Sequence, residues 1–109
     1  MKLVLAIIHA DDAASCCDAL ADAGLACTRL PAVGGFLGRE NIALLTGCDE
    51  TRVDEVVDVI GQRSRSRVEE LTPMTGGANP VDVLQPLAVE VEVGGATIFV
   101  LDVERFVRL

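Results

Sequence analysis

Few residues in this chain have types and spacing suited to chemistry, and the most suggestive group lies between positions 28 and 47. It reads Thr28-Arg29-Leu30-Pro31-Ala32-Val33, then Gly34-Gly35-Phe36-Leu37-Gly38-Arg39, then Glu40-Asn41 and the apolar run Ile42-Ala43-Leu44-Leu45 leading to Gly47. Two strand-like runs flank a glycine-rich turn with one aromatic at its tip. Glycine lets a ligand approach the main chain closely. Phe36 offers a flat apolar face beside bare amide groups, which suits a planar, hydrogen-bonding ligand such as a nucleobase. The same residues can also form an ordinary hairpin turn whose Phe plugs a core. This stretch alone leaves both readings open.

The other reactive side chains give weaker signals. Arg63-Ser64-Arg65-Ser66-Arg67 is either a solvated helix end favoured by the macrodipole or a clamp for phosphate. The four cysteines, Cys16, Cys17, Cys27 and Cys48, form no Cys-x-x-Cys pair, and His9 is the only histidine. A zinc site is therefore poorly supported. Cys16 and Cys17 fall in a helical pattern, where they read as small buried apolar side chains. His9 ends an apolar run with no Ser or Cys partner in the sequence, so it reads as a solvent-exposed strand end rather than a general base. Asp54, Glu55 and Asp58 read as the wet face of a helix. There is no Gly-x-x-x-x-Gly-Lys loop and no dinucleotide fingerprint. The expectation is a binding protein and not an enzyme, with no metal and no cofactor.

Composition narrows the class. With 109 residues, one domain spanning 1–109 is expected. Half of the residues are apolar, as in a globular protein. Net charge is −8, which argues against general nucleic-acid binding because such a chain repels a phosphate backbone. One small phosphate ligand needs only a local basic pocket and stays possible. The apolar run from Leu3 to Ile8 is too short for a membrane span or a signal peptide, so neither membrane insertion nor export is expected. With no export signal and no cysteine-pair motif, a reducing cytoplasm is the expected compartment.

The elements that must position these residues follow from periodicity. Leu3 to Ile8 is a continuous apolar run of strand length. Asp11 or Asp12 can cap a helix carrying Ala13, Cys16, Cys17 and Leu20 on one side, and Gly24 stops it. Residues 26–33 and 41–46 read as strands, the first at an edge because of Pro31. Thr51 with Asp54 resembles a capping pair. Val53, Val56, Val57 and Ile60 form the stripe of a second helix. Residues from about 63 to 86, rich in Pro and Gly, read as one long loop. Val89-Glu90-Val91-Glu92-Val93 alternates strictly, Gly94-Gly95 signals a hairpin, and residues 96–101 return as a further strand. The order predicts an α+β, ferredoxin-like βαββαβ sandwich with an extra C-terminal strand. Leu3, Leu5 and Ile7 share one face of the first strand and Val4, Ala6 and Ile8 the other. Two helices cover only one face, so the second is expected to meet other copies of the chain.

Thr28, Gly34-Gly35-Phe36-Leu37, Asn41 and Gly47, followed by Val53-Asp54-Glu55-Val56, Thr72-Pro73-Met74 and Val89-Glu90-Val91-Glu92-Val93-Gly94-Gly95-Ala96-Thr97, resemble the PII-like cyclic di-AMP receptor family. The resemblance spans nearly the whole chain. It implies a homotrimer whose sheets pack around a three-fold axis, with cyclic di-AMP in clefts between subunits and a downstream protein reading the bound state. It implies that Phe36 stacks on an adenine and that Gly35, Leu37, Thr28, Asn41 and Gly47 line the pocket. Family members carry arginine where this chain has Ala26 and glutamine where it has Arg108. They tend to have arginine at Gly38 and a threonine pair at Ile42 and Ala43. Losing one phosphate-facing arginine removes a charge-assisted bond of roughly 1.5–3 kcal/mol. Arg29, Arg39 or Arg108 are the candidates to replace it. The departures keep two alternatives open: a PII-like sensor of ATP, ADP or another adenine nucleotide, and a trimeric scaffold that works by protein contact alone. With no Tyr in the chain, regulation by tyrosine modification is excluded.

Overall fold

The computed structural model describes residues 1–32, 40–71 and 89–109. The main sheet is built from β1 (Lys2–His9), β2 (Thr28–Ala32), β3 (Asn41–Cys48) and β6 (Ala96–Asp102), in the order β2-β3-β1-β6. All its neighbours run antiparallel. Helices α1 (Ala13–Asp22) and α2 (Val53–Arg63) pack on one side. A separate ribbon pairs β4 (Arg67–Leu71) with β5 (Val89–Val93). This α+β arrangement is compatible with a ferredoxin-like fold.

The core lies between the helices and one face of the sheet. Val4, Ala6 and Ile8 of β1, with Leu44 and Cys48 of β3, meet Cys16 and Leu20 of α1 and Val56 and Ile60 of α2. Period-two alternation in the strands and the i, i+4 spacing in the helices bring these residues to one layer. Gly24 ends α1 with φ of 79°, and the Leu25 amide then donates to the Leu20 carbonyl. That is the left-handed C-terminal stop that glycine allows. Pro31 sits on the edge strand β2, where its missing donor costs little.

Several expectations need correction. The extra strand is not the C-terminal one. β6 completes the main sheet beside β1, and Val89–Val93 is the additional strand, paired outside that sheet with β4. The physical reason is legible in composition: Ala96 to Leu101 is nearly continuously apolar and tolerates contact on both faces, whereas Val-Glu-Val-Glu-Val suits a ribbon with a wet side. Gly94-Gly95 therefore closes no hairpin between β5 and β6. Both glycines have positive φ, 88° and 84°, and they redirect the chain from the ribbon into the main sheet. The expected loop of 63–86 also contains structure, since Arg67–Leu71 is a strand; residues 72–86 lie outside the described residues. Neither Thr51 nor an Asp side chain caps a helix. Arg52 instead holds Glu55 with both forks at 3.0 and 3.1 Å and donates to the Ala23 carbonyl at 2.8 Å, joining the start of α2 to the end of α1.

Asp12 has a different task. Its carboxylate is almost fully buried and takes two bonds from the Arg67 guanidinium, at 3.1 and 3.3 Å. Arg67 also donates to the Arg65 carbonyl at 3.2 Å. The base of the ribbon is thus fastened to the N-terminus of α1 by a planar, two-point grip, the geometry in which arginine outperforms lysine. Gly94 fits against this grip. A Cβ there would fall on the Arg65 carbonyl and lie 2.9 Å from Arg67 Nη1. The Gly94→Ala variant should lose about 1–3 kcal/mol of stability, from clash and a backbone angle that L-residues avoid; urea unfolding of the two proteins measures it.

Burial also sets a pH dependence. It pushes the Cys16 thiol up to about 11 and the Cys27 thiol up to about 12, from an ordinary 9.0. The folded state therefore keeps protons that the unfolded chain releases above its own thiol pKa. Stability from these groups is full below pH 9 and falls as pH rises towards the folded values. Under a phosphine reductant, the urea midpoint should drop between pH 8.5 and 10.5, and Cys27→Ala should flatten that drop.

Candidate nucleotide site

The register of the sheet sorts the expected site residues. Thr28 pairs with Leu45, Ala32 with Asn41, Asn41 with His9 and Gly47 with Leu3. Directly opposed residues of an antiparallel pair point to the same face. Thr28, Asn41 and Gly47 therefore all lie on the face away from the helices, with Leu3, Leu5 and Ile7. Leu30, Phe99 and Leu101 extend that face and are 46%, 43% and 47% exposed. The same register separates Ile42 and Ala43, two positions where the chain departs from the family it resembles. Ala43 lies on the open face, whereas Ile42 faces the helices and packs against the core.

These residues do not converge on one point within a single chain. Asn41 and Gly47 lie six residues apart on β3, roughly 20 Å along a strand. Arg108 belongs to the exposed tail after β6, and that tail leaves the sheet where the Val103 amide bonds the Met1 carbonyl. The tail thus starts at the Gly47 end, opposite Asn41. Gly35, Phe36, Leu37 and Arg39 lie outside the described residues.

At the Asn41 end there is a cavity of about 280 Å³. Its lining includes Asn41, His9, Ser66, Glu92, Gly94, Gly95 and Thr97. The ends of β1 and β3 supply one wall, and the turn from β5 into β6 supplies the other. The Gly95 amide donates to the Ser64 carbonyl and fixes that turn. Ser66 Oγ donates to Glu92 Oε1 at 2.6 Å, tying the start of the ribbon across to β5. His9 is half-buried rather than solvent-exposed, and its Nδ1 accepts from the Asp11 amide at 3.2 Å, so it caps the turn Ala10–Asp12.

This chemistry favours a base over a phosphate. Glu92 contributes an anionic acceptor and Asn41 an amide that both donates and accepts. An exocyclic amine suits a carboxylate, and a phosphate does not. The volume sits near the lower end of ordinary ligand pockets, about 300–1,000 Å³, so the cavity has room for a group the size of a single base. Arg67 is not available as a phosphate clamp because Asp12 engages it. Of the lining, only Asn41 was read from the sequence as a site residue. Glu92, Gly94, Gly95 and Thr97 stood in a recognisable motif but read there as strand and turn. Ser66 stood inside the arginine run and His9 at the end of an apolar run, and neither was named as a site residue.

Among the described residues, no group of His, Cys, Asp and Glu is placed to hold a metal ion, and no helix is long and apolar enough to cross a membrane. A crystal structure of a functionally unknown protein from Pediococcus pentosaceus ATCC 25745 is similar to this chain, with a TM-score of 0.77 and 36% identity. The match covers 99% of this chain and 96% of that one. Sequence comparison with known families matches residues 1–109 to the cyclic-di-AMP receptor, a family of ligand-sensing and not of known catalytic proteins. On that whole-length match, the chain belongs to the cyclic-di-AMP receptor family.

Proposed function

We propose that this protein is a PII-like signalling homotrimer that binds cyclic di-AMP between its subunits and passes the bound state to a partner protein. The observation that carries the reading is the placement of Thr28, Asn41 and Gly47 on one apolar sheet face that neither helix covers, in a chain that matches a cyclic-di-AMP receptor from end to end. Residues at opposite ends of that face can serve one ligand only if a second copy brings the far end near.

In this reading an adenine enters the cavity beside Asn41 and Glu92, and Phe36 stacks on a base. The Gly35 and Leu37 main chains, with Thr28 and Gly47, close around the ligand. Arg39 and Arg108 meet the phosphates in place of the arginine that Ala26 lacks. Ile42 counts little against cyclic di-AMP, because its side chain is turned away from the ligand face. The ribbon carries the signal outward. Glu92 and Gly94 belong both to the cavity and to the ribbon base held by Asp12 and Arg67, so occupancy changes what the ribbon presents to a partner.

Calorimetry tests this directly. Cyclic di-AMP should bind at one site per subunit, and more tightly than ATP or AMP. Phe36→Ala should weaken it by about 1–3 kcal/mol through lost stacking. Asn41→Ala should cost about 1 kcal/mol, near five-fold in Kd. Asp58→Ala, on the exposed side of α2, should leave affinity unchanged. Binding of ATP with no response to cyclic di-AMP would reassign the ligand, and no binding of any nucleotide would leave a protein-contact scaffold.

A further inference from the structure

Cys17 and Cys27 are brought together by the fold, although ten positions separate them. Cys17 lies on the inner side of α1, Cys27 immediately precedes β2, and their sulfurs are 2.8 Å apart as free thiols. A disulfide bond is about 2.05 Å long, so under 1 Å of approach joins them. We propose that this pair is a redox modification site, closing reversibly to an intramolecular disulfide when a hydroperoxide is the oxidant.

The surroundings select these two from the four cysteines. Cys16 is fully buried and directs its thiol at the Ile60 carbonyl, 3.9 Å away on α2. Cys48 is buried at the end of β3. Cys17 and Cys27 are each half-buried at the margin of the core, which leaves a small oxidant a way in. Burial is the main influence holding the Cys27 thiol protonated, the neighbouring Cys17 adds to it, and the Thr46 hydroxyl opposes it. In one order of events Cys17 attacks first; the reverse order forms the same bond.

The Cys17 thiolate attacks one peroxide oxygen, the O–O bond breaks, and the other oxygen leaves as hydroxide or alkoxide. Cys17 becomes a sulfenic acid. The Cys27 sulfur then attacks the Cys17 sulfur, the S–O bond breaks, and the departing hydroxide takes the Cys27 proton as water. Two electrons pass from the sulfurs to the peroxide, and a dithiol reductant reverses the change. The closed bond fastens α1 to the entry of β2, one residue from Thr28. It does not depend on which nucleotide the protein binds.

The test uses the intact, reduced wild-type protein treated with hydrogen peroxide, alkylated in denaturant and mapped by peptide mass spectrometry. The expected result is loss of alkylation at both Cys17 and Cys27, a linked peptide joining them, and full recovery with dithiothreitol. Cys16 and Cys48 should remain alkylated. Cys16→Ala should still form the link, and Cys27→Ser should leave a dimedone-reactive sulfenic acid on Cys17. Linkage through Cys16 or Cys48, linkage only between chains, or retention of both thiols at peroxide doses that oxidise free cysteine would overturn the proposal.

Discussion

Leu3, Leu5 and Ile7 of the first strand, together with Leu45, Phe99 and Leu101 on its neighbours, make an apolar surface that neither helix reaches. Both helices are spent on the opposite face, where Val4, Ala6 and Ile8 are almost completely excluded from solvent. An antiparallel sheet can leave one face wet if that face is polar. This one is largely apolar, and a contiguous exposed apolar patch is the usual mark of an interaction surface. The remainder of the functional account hangs from that constraint. In the reading proposed above, a site divided between the Asn41 end and the Gly47 end of the face becomes a single site once copies of the chain share it.

The second organising feature is the junction where the ribbon leaves the body. Two glycines at positive φ turn the chain there, and one of them has no room for a side chain. Arg67 reaches across to Asp12, and Ser66 to Glu92. A buried carboxylate is tolerable because the guanidinium satisfies it at two points; removing either partner strands a charge. Ser66, Glu92 and the two glycines also border the cavity. If the proposed ligand enters that cavity, its contacts and the ribbon geometry share atoms, which is the physical requirement for a bound state to be read at a distance.

Much of this was legible in the chain. The apolar run from Leu3 to Ile8, the stripe from Val53 to Ile60, the stop at Gly24 and the edge position of Pro31 follow from periodicity and backbone chemistry, and the structure has them there. Strand pairing was not legible. Gly94-Gly95 is a strong local hairpin signal, yet partner choice is decided by distant residues: β1 pairs with β6 and Arg67–Leu71 takes Val89–Val93. The arginine run was ambiguous for the same reason, because only the fold reveals that Asp12 meets Arg67. Of the candidate site, Thr28, Asn41 and Gly47 were named from family resemblance, and their shared face emerged from the register. His9 and Ser66 acquire meaning only through neighbours far away in sequence. The Cys17–Cys27 contact likewise has no sequence signature, since neither their separation nor their context fits a known redox motif.

The covered face is the central claim, and mass in solution tests it most directly. Sedimentation equilibrium of the reduced protein at micromolar concentration should give a single species of three times the 11.5 kDa chain mass, with no dependence on added nucleotide. A single 11.5 kDa species across that range would contradict the account, since the apolar face would then stand in water and the two ends of the site would never meet.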